Sequence, residues 1–382
     1  MRTTVRSLMF SCAALLGCSP STTPTEPVDL MSHARTAASL TPHDDGDVCG
    51  DGVRTAGEQC DDGNAVNLDG CDSACKFEQE QRVNALTMQF ASDADCTANG
   101  LGGAIAPLGQ GTLQGSLSAG ISDGSITIMF KTLGLADLSG SDGPLQLGLL
   151  NGGPVAGDGY NGNSDLDWWY TTSAVSIDAD RNPVQQLSGN LVAHRLDASG
   201  DALTLNLILV DQPASLTMKQ VRLIAFADAA SAPTASASGT TPGHLASENL
   251  DPALTSFAST GAASADKLCG NVTADSLAHV PAPSVLVQGG AVPCTQGYTA
   301  ANSLLDMIVG GCDLVFFGSK IDVITATQPD TIGGDPFTLA LDSDHHVASC
   351  TDNGGDVDLA TCLASATYSS YFQFTTDRVI AK

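Results

Sequence analysis

Residues 202–210 read ALTLNLILV, and this stretch decides the fold class. Leucine recurs at every second position from Leu203 to Leu209, which is the spacing that places side chains on one face of a β-strand. Shorter apolar runs at residues 85–90 (ALTMQF) and 125–130 (SITIMF) are separated by clusters of Gly, Asp, Asn and Pro. Alternation with turns at short intervals predicts a mainly β chain in which residues 83–228 form a β-sandwich-like domain.

The C-terminal part of the chain differs in character from this β region. Residues 229–266 are rich in Ala, Ser and Thr, which predicts a linker or a long surface loop. Residues 299–311 (TAANSLLDMIVGG) place apolar side chains on one helical face and end in two glycines, a pattern typical of a helix and its stop. Residues 267–382 are therefore predicted to form a smaller α+β lobe that contains disulfides. Its strand-like runs are residues 314–317, 320–326 and 368–380.

The chain is strongly acidic. It carries 42 Asp and Glu residues against 15 Lys and Arg residues among 382, a formal net charge of -27. An anionic nucleic-acid backbone would be repelled by such a surface, so nucleic acid is excluded as a partner. An excess of this size indicates either a solvated acidic surface or the binding of cations.

The first eighteen residues have the features of an export signal. Arg2 and Arg6 precede a short apolar stretch, residues 8–16, which is too short to span a bilayer as a mature helix. Residues 15–18 (LLGC) resemble a bacterial lipobox, which implies a lipoprotein signal peptide over residues 1–17 and a lipid anchor on Cys18. The alternative is an ordinary secretory signal in which this cysteine is incidental.

A disordered tether is predicted to follow the anchor. Residues 18–47 are rich in Ser, Thr, Pro and Ala and have no sustained apolar period. The expected location of such a lipoprotein is the outer membrane or the cell surface.

Ten cysteines remain once Cys12 in the signal and Cys18 are set aside. An even number in an exported chain predicts a disulfide framework, and the spacing does not match paired zinc ligands. Cys96 is alone in the β region, so we expect it to pair with a C-terminal cysteine and tie the two regions together. Among the fifteen connectivities that six cysteines allow, we expect Cys96–Cys269, Cys294–Cys312 and Cys350–Cys362. The ten are Cys49, Cys60, Cys71, Cys75, Cys96, Cys269, Cys294, Cys312, Cys350 and Cys362.

Residues 48–80 form a cysteine-rich module that contains CGDG at 49–52, GEQCDDGN at 57–64 and DGC at 69–71. These motifs resemble the Myxococcus cysteine-rich repeat, a family of unknown function from surface and secreted proteins. The resemblance implies an exported protein, often displayed on a cell surface, and it implies no activity. A module this small cannot bury an adequate core, so its four cysteines must stabilise it, and its Asp-Gly pairs supply turns.

Two clusters of oxygen-bearing side chains are candidate calcium sites. Calcium prefers six to eight oxygen ligands, and it would relieve the repulsion between carboxylates crowded into a small loop. The alternative for each cluster is an acidic or turn-rich loop without a metal. The clusters are Asp51, Glu58, Asp61, Asp62, Asn64 and Asp69 in the module, and Asn161, Asn163, Asp165 and Asp167 further along the chain.

Trp168, Trp169 and Tyr170 are a candidate ligand-binding group. Neighbours on a strand face opposite sides of the sheet, so one of the two tryptophan rings should be exposed. An exposed ring beside Asp- and Asn-rich loops is typical of sugar-binding sandwiches, and the alternative is packing against the C-terminal lobe. His345 and His346, which are flanked by carboxylates, are a candidate metal-binding or general-base pair, with a structural surface loop as the alternative.

The sequence contains no HExxH or GxxxxGK[ST] signature, and no GxGxxG between a strand and a helix. We therefore expect a lipid-anchored, surface-exposed, non-enzymatic bacterial protein with a binding, adhesion or envelope-structural role, stabilised by calcium if the acidic clusters bind it. Its expected partners are a membrane, through the lipid anchor, and an extracellular glycan or protein. The alternative is a secreted carbohydrate-active enzyme or other hydrolase with an Asp-based site, since carboxylate pairs leave no local signature.

Overall fold

The computed structural model describes residues 48–58, 61, 63–67, 71–75, 77–135, 141–154, 160, 169–193, 195–226, 266–330, 336–378 and 380–381. The chain divides into two units, Met1–Gly46 and Asp47–Lys382, and the described residues all belong to the second. The predicted signal peptide, Cys18, the tether and nearly all of the predicted linker, residues 229–265, lie outside the described residues.

The described part of the chain contains fifteen β-strands and five α-helices. None of these helices is both long and apolar enough to cross a membrane. The strands are β1 (Phe77–Met88), β2 (Ile128–Leu135), β3 (Asp142–Pro154), β4 (Trp169–Thr172), β5 (Gln185–Val192), β6 (Arg195–Leu209), β7 (Gln212–Phe226), β8 (Asp266–Thr273), β9 (Cys312–Phe316), β10 (Ser319–Ile324), β11 (Thr338–Leu341), β12 (Val347–Asp352), β13 (Gly355–Val357), β14 (Thr367–Arg378) and β15 (Ile380–Ala381). The helices are α1 (Gly100–Ile105), α2 (Gly109–Asp123), α3 (Ala274–Ala278), α4 (Leu304–Gly310) and α5 (Leu359–Ser365).

Eight of these strands form one closed antiparallel sheet. The order around it is β1-β14-β8-β7-β6-β5-β3-β2, and β2 pairs again with β1. Closure satisfies the backbone N–H and C=O groups that an open sheet would leave along its edges. Two short strands lie beyond the ring, because β4 pairs with the end of β3 and β15 pairs with β4 in parallel.

Large apolar side chains fill the inside of the closed sheet. Phe130 of β2, Leu147 of β3, Leu223 of β7 and Phe374 of β14 line the same internal gap, and each is at least 96% buried. The ring centroids of Phe130 and Phe374 lie 5.7 Å apart. The core is therefore built jointly by strands from both ends of the chain.

The prediction of a mainly β, disulfide-rich fold is confirmed, but the strands form one closed sheet and not two packed sheets. The cause is the position of β8 and β14, which lie between β7 and β1. Without these two C-terminal strands the region 83–228 leaves a gap in the ring. The α+β part predicted in the C-terminal region is present as an insertion between β8 and β14 that carries α3 to α5 and β9 to β13.

Helices α1 and α2 lie in a region whose sequence predicts only strands, and there the prediction is wrong. Leu113, Leu117 and Ile121 of α2 are buried at a spacing of four residues, which aligns them on one helical face. The side-chain amide of Gln114 donates to the carbonyl oxygen of Met88 at 3.0 Å and fixes α2 against β1. Because α2 contains four glycines, its intrinsic helix propensity is weak and tertiary burial stabilises it.

The predicted C-terminal helix is present but shorter than residues 299–311. It begins after Ser303, whose hydroxyl accepts the N–H of Asp306 while the Asp306 carboxylate accepts the N–H of Ser303. This capping box satisfies two backbone donors at the start of α4. Upstream, the N–H of Thr299 donates to the side chain of Asn302 at 2.8 Å, so these residues form a turn. Gly311, with a φ of +74°, follows the last helical residue.

The disulfides confirm the predicted framework within the described residues. Cys71 is also disulfide-bonded, and Cys60 lies outside the described residues. Cys96 joins the loop after β1 to β8, as its isolation in the β region predicts. Bonds join Cys49 to Cys75, Cys96 to Cys269, Cys294 to Cys312 and Cys350 to Cys362, and the last three are the expected pairings.

Candidate functional site

The cysteine-rich module is organised around the carboxylate of Asp61. Its Oδ1 accepts the N–H of Gly52 and of Gly63, each at 2.8 Å, and its Oδ2 accepts the N–H of Gly50 at 3.0 Å and of Asp51 at 3.2 Å. Desolvation acts against the ionised form, but these four donors outweigh it and lower the pKa of Asp61 below its ordinary value. Gly50 has a φ of +91°, and a Cβ there would lie 2.7 Å from a backbone carbonyl group, so this turn requires glycine.

Glu58 lies beside Asp61 with one carboxylate oxygen unsatisfied. Only 6% of Glu58 is exposed, and its Oε2 accepts the N–H of Thr55 at 2.7 Å. Its Oε1 is buried and has no hydrogen-bond partner in the described part of the chain. Single ligand atoms of Glu58, Asp61 and Cys75 lie within 4.8 Å of one another. Because Cys75 is bonded to Cys49, the two carboxylates are the groups able to hold a cation, and their oxygens suit calcium.

The other predicted calcium ligands are not shown beside this pair. Asp51 accepts the N–H of Val53 at 2.8 Å, and Asn64 accepts the N–H of Val66 at 2.6 Å. Both contacts are local turn interactions that need no metal. The remaining candidates lie outside the described residues, so calcium binding by them stays a prediction. They are Asp62 and Asp69 of the module, and Asn161, Asn163, Asp165 and Asp167 of the second cluster.

Tyr170 is fully buried, which differs from the expectation of a ligand-binding ring. Its hydroxyl lies 3.2 Å from that of Tyr160, and its ring centroid lies 5.3 Å from the guanidinium carbon of Arg82. These contacts make Tyr170 a packed core residue, although its side-chain partners lie in the β region and not in the predicted C-terminal lobe. Trp168 lies outside the described residues, and for Trp169 the structure describes the backbone, which pairs with β15. Sugar binding by the tryptophans therefore stays a prediction.

His345 and His346 lie in the turn between β11 and β12. The Nδ1 of His346 is 3.2 Å from Oδ2 of Asp306, a residue that is only 4% exposed and also caps α4. The ring of His345 packs edge-on against that of Tyr298, with centroids 5.5 Å apart. Among the described residues, neither histidine lies in a group of three ligands close enough to share a metal ion. These contacts favour a structural turn, although a carboxylate that orients an imidazole, as Asp306 does for His346, is also an arrangement found in catalytic bases.

A charged network that no sequence motif indicates surrounds the disulfide of Cys96. The Nζ of Lys267 lies 2.7 Å from Oδ2 of Asp93 and 2.8 Å from Oδ2 of Asp95, and the Tyr371 hydroxyl donates to Asp93 at 2.7 Å. Burial acts against ionisation of Asp93, but hydrogen bonds from the Cys96 N–H, Lys267 and Tyr371 lower its pKa far below the ordinary value. The network holds the loop after β1 to β8 and β14, which is a structural role.

An apolar cleft of about 220 Å³ lies between the start of α2, the β6–β7 turn and the β9–β10 hairpin. Leu108, Val210, Leu286 and Leu314 are among its lining residues, and Thr112 is the one polar side chain in that lining. None of the described residues that line it carries a carboxylate. A cleft of this composition suits an apolar ligand, and it lacks the paired acids that a glycosidase requires.

The β9–β10 hairpin beside this cleft exposes large apolar side chains. Val315, Phe316 and Ile321 are 58%, 61% and 47% exposed, and Phe317 in the turn is 96% exposed. Apolar side chains exposed as a group mark an interaction surface more often than single ones do. The sequence pattern predicts the two strands of this hairpin but not the exposure of their apolar side chains. The pair of phenylalanines before Gly318 is a local signal for the hairpin.

Protein-family models, curated proteins and solved structures were compared with the chain, and none of them matches it. The resemblance of residues 48–80 to the Myxococcus cysteine-rich repeat therefore stays a prediction.

Proposed function

We propose that the chain is an exported, lipid-anchored surface protein that binds a partner and does not catalyse a reaction. The observation that carries this proposal is the state of its cysteines, because all nine that the structure describes are disulfide-bonded. Disulfides form and persist outside the reducing cytosol. A framework that extends from Cys49 to Cys362 therefore supports export.

The proposed membrane attachment is a lipid on Cys18. The LLGC sequence at residues 15–18 supports cleavage before this cysteine and its lipidation, and residues 18–47 supply a tether. The proposed location is the outer membrane or the cell surface. The resemblance of residues 48–80 to a surface-protein repeat supports that location.

The proposed role is binding, adhesion or organisation of the envelope. The apolar cleft and the exposed β9–β10 hairpin support an apolar partner surface over a glycan. Calcium held between Glu58 and Asp61 would stabilise the cysteine-rich module, because it would satisfy the buried Glu58 oxygen and offset the repulsion between the two carboxylates.

A hydrolase with an Asp-based site is the alternative, and the Asp306–His346 pair supports it. A buried carboxylate that orients an imidazole prepares it to accept a proton. The side chain of His346 is 41% exposed, so a substrate could reach it. Hydrolysis of a polysaccharide or ester that is lost in His346→Ala, with the fold intact, would favour this alternative.

Lipidation of Cys18 tests the proposed function. The full chain, expressed in a bacterium that processes lipoproteins and labelled with a fatty acid, should incorporate the label and partition into detergent. Cys18→Ala should lose both properties, whereas Cys12→Ala should keep them because that residue lies in the removed signal. Label retained by Cys18→Ala, or an unlabelled soluble parent chain, would contradict the proposal.

A further inference from the structure

The β9–β10 hairpin has one apolar face. Leu314 pairs with Ile321, and Phe316 lies two residues further along the same strand. Directly paired residues of an antiparallel pair share a face, as do residues two apart on one strand, so these three side chains form an apolar strip. On the other face, the Nζ of Lys320 lies 3.4 Å from Oδ2 of Asp313.

The turn of this hairpin places an aromatic residue where the backbone disfavours one. Phe317 and Gly318 connect the strands, with φ values of +49° and +81°. A two-residue turn with positive φ at both positions prefers Asn-Gly, and a bulky residue in the left-handed region is strained. Phe317 is 96% exposed, and its ring packs against that of Phe316 with centroids 4.6 Å apart. A strained and exposed phenylalanine adds little to the stability of the fold, which indicates a function outside it.

The apolar strip is continuous with the cleft at the base of the hairpin. Leu314 and Val323 line the cleft, and exposure then rises along the strand through Phe316 to Phe317. The apolar surface therefore extends from a recess in the body to a projecting tip formed by two aromatic rings.

We propose that this tip inserts into the surface of a lipid bilayer. A projecting pair of aromatic rings suits a deformable surface, and Phe is among the apolar side chains that membrane-surface segments bury at the boundary between headgroups and acyl chains. Because anionic lipid would repel a net charge of -27, the proposed target is the surface of a zwitterionic bilayer. Insertion would transfer the exposed ring of Phe317 out of water at no cost to packing in the body.

This inference rests on the proposed lipid anchor, which brings the hairpin within reach of the membrane. Residues 19–47 separate Cys18 from Val48, and a chain of that length spans at most about 100 Å. A single hairpin tip binds a bilayer weakly by itself. Tethering makes the contact intramolecular and raises its effective concentration, so the tip would set the orientation of the body on the membrane.

A tryptophan at the tip reports insertion. The full lipidated chain with Phe317→Trp is reconstituted on phosphatidylcholine vesicles that carry a quencher near the headgroups, and emission of the parent chain is subtracted. The matched control is Val175→Trp, because Val175 is 84% exposed and lies outside the hairpin. The fluorescence contributed by the introduced tryptophan should be quenched for Phe317→Trp and should remain for Val175→Trp.

The outcomes separate this inference from the proposed anchor. If the chain floats with the vesicles but the Phe317→Trp emission is not quenched, tip insertion is overturned, the lipid anchor stands, and the result points to a protein partner for the hairpin. If the chain does not float with the vesicles, the proposed lipid anchor is contradicted. Quenching of Phe317→Trp emission is then measured in the unlipidated Cys18→Ala chain at high vesicle concentration. Quenching there supports tip insertion, and unquenched emission overturns tip insertion.

A second substitution separates insertion from folding. Phe317→Asn creates the Asn-Gly pair that this turn prefers, so its thermal unfolding midpoint should equal or exceed that of the parent chain. In the Cys18→Ala background it should also lose the residual vesicle binding, whereas Val175→Asn should not. A lower midpoint together with unchanged vesicle binding would show that the ring serves the fold and would overturn the inference.

Discussion

Cys96 and Cys269 are joined by a disulfide across 173 residues of sequence. Cys269 lies in β8, in register with Tyr371 of β14 on one side and Arg222 of β7 on the other. The bond therefore fastens the loop after β1 to a strand that completes the closed sheet. The N-terminal and C-terminal strands are covalently parts of one folding unit.

Of the four disulfides Cys49–Cys75, Cys96–Cys269, Cys294–Cys312 and Cys350–Cys362, the one between Cys96 and Cys269 should be the most stabilising because it encloses the longest loop. Replacing Cys96 and Cys269 by serine should lower the free energy of unfolding by about 5 kcal/mol, since closing a longer loop removes more entropy from the unfolded chain. Replacing Cys350 and Cys362, only 12 residues apart, should lower it by about 3 kcal/mol. Guanidinium titrations under non-reducing conditions measure both, and equal losses would contradict the chain-entropy account.

Asp93 should make stability depend on pH in the acid range. Its folded pKa lies below the ordinary value, so its ionised form stabilises the fold above about pH 4, and that contribution is lost progressively as the pH falls below this value. Asp93→Asn should lower the free energy of unfolding at pH 7 by about 1 to 2 kcal/mol. The difference from the parent chain should shrink below pH 4 in urea titrations. The exposed Asp201→Asn is the control and should show neither effect.

Asp266 should make the stability of the fold depend on pH in the direction opposite to that of Asp93. It is fully buried, and burial raises its pKa to about 8 despite the N–H that Phe226 donates to it at 3.0 Å. The folded chain then binds more protons than the unfolded chain between about pH 4 and the folded value, so stability should fall as the pH rises through that window. Asp266→Asn should remove this fall and raise the free energy of unfolding at pH 8 by about 1 to 3 kcal/mol. A parent chain whose stability is flat from pH 5 to pH 8 would refute this.

Calcium should raise the melting temperature of the chain through Glu58. Adding millimolar calcium should shift the thermal midpoint upward, and EDTA should reverse the shift, because the ion would satisfy the buried Oε1 of Glu58 and offset its repulsion with the neighbouring Asp61 carboxylate. Glu58→Gln should abolish the response, with Asp201→Asn as a control that keeps it. An undiminished calcium response in Glu58→Gln would place the ion elsewhere in the chain.

Much of the fold could be predicted because its signals are local. The alternation in residues 202–210 places Leu203 to Leu209 in β6, and the isolation of Cys96 in the β region predicts its bond to the C-terminal part. Helix α2 could not be predicted in the same way, since its glycines weaken the local preference and burial of Leu117 against distant strands decides it.

The candidate sites were less accessible to prediction. The crowding of acidic residues in the sequence predicts a calcium site that includes Glu58, Asp61 and four other residues of the module. It does not show that the Asp61 carboxylate accepts four backbone N–H groups while one oxygen of Glu58 has no hydrogen-bond donor. Likewise, the two adjacent phenylalanines before Gly318 are a local signal for the hairpin, but phenylalanine is usually buried, so the exposure of Phe317 follows only from the position of the hairpin.

Strand alternation and an even set of cysteines able to form a disulfide framework follow from residue order, because they depend on spacing along the chain or on the number of cysteines available. Closure of the sheet by β8 and β14, burial of Tyr170 and exposure of Phe317 were decided by the tertiary structure. The physical reason is that burial and edge pairing depend on which distant segments meet, and segments as far apart as β1 and β14 meet only when the ring closes.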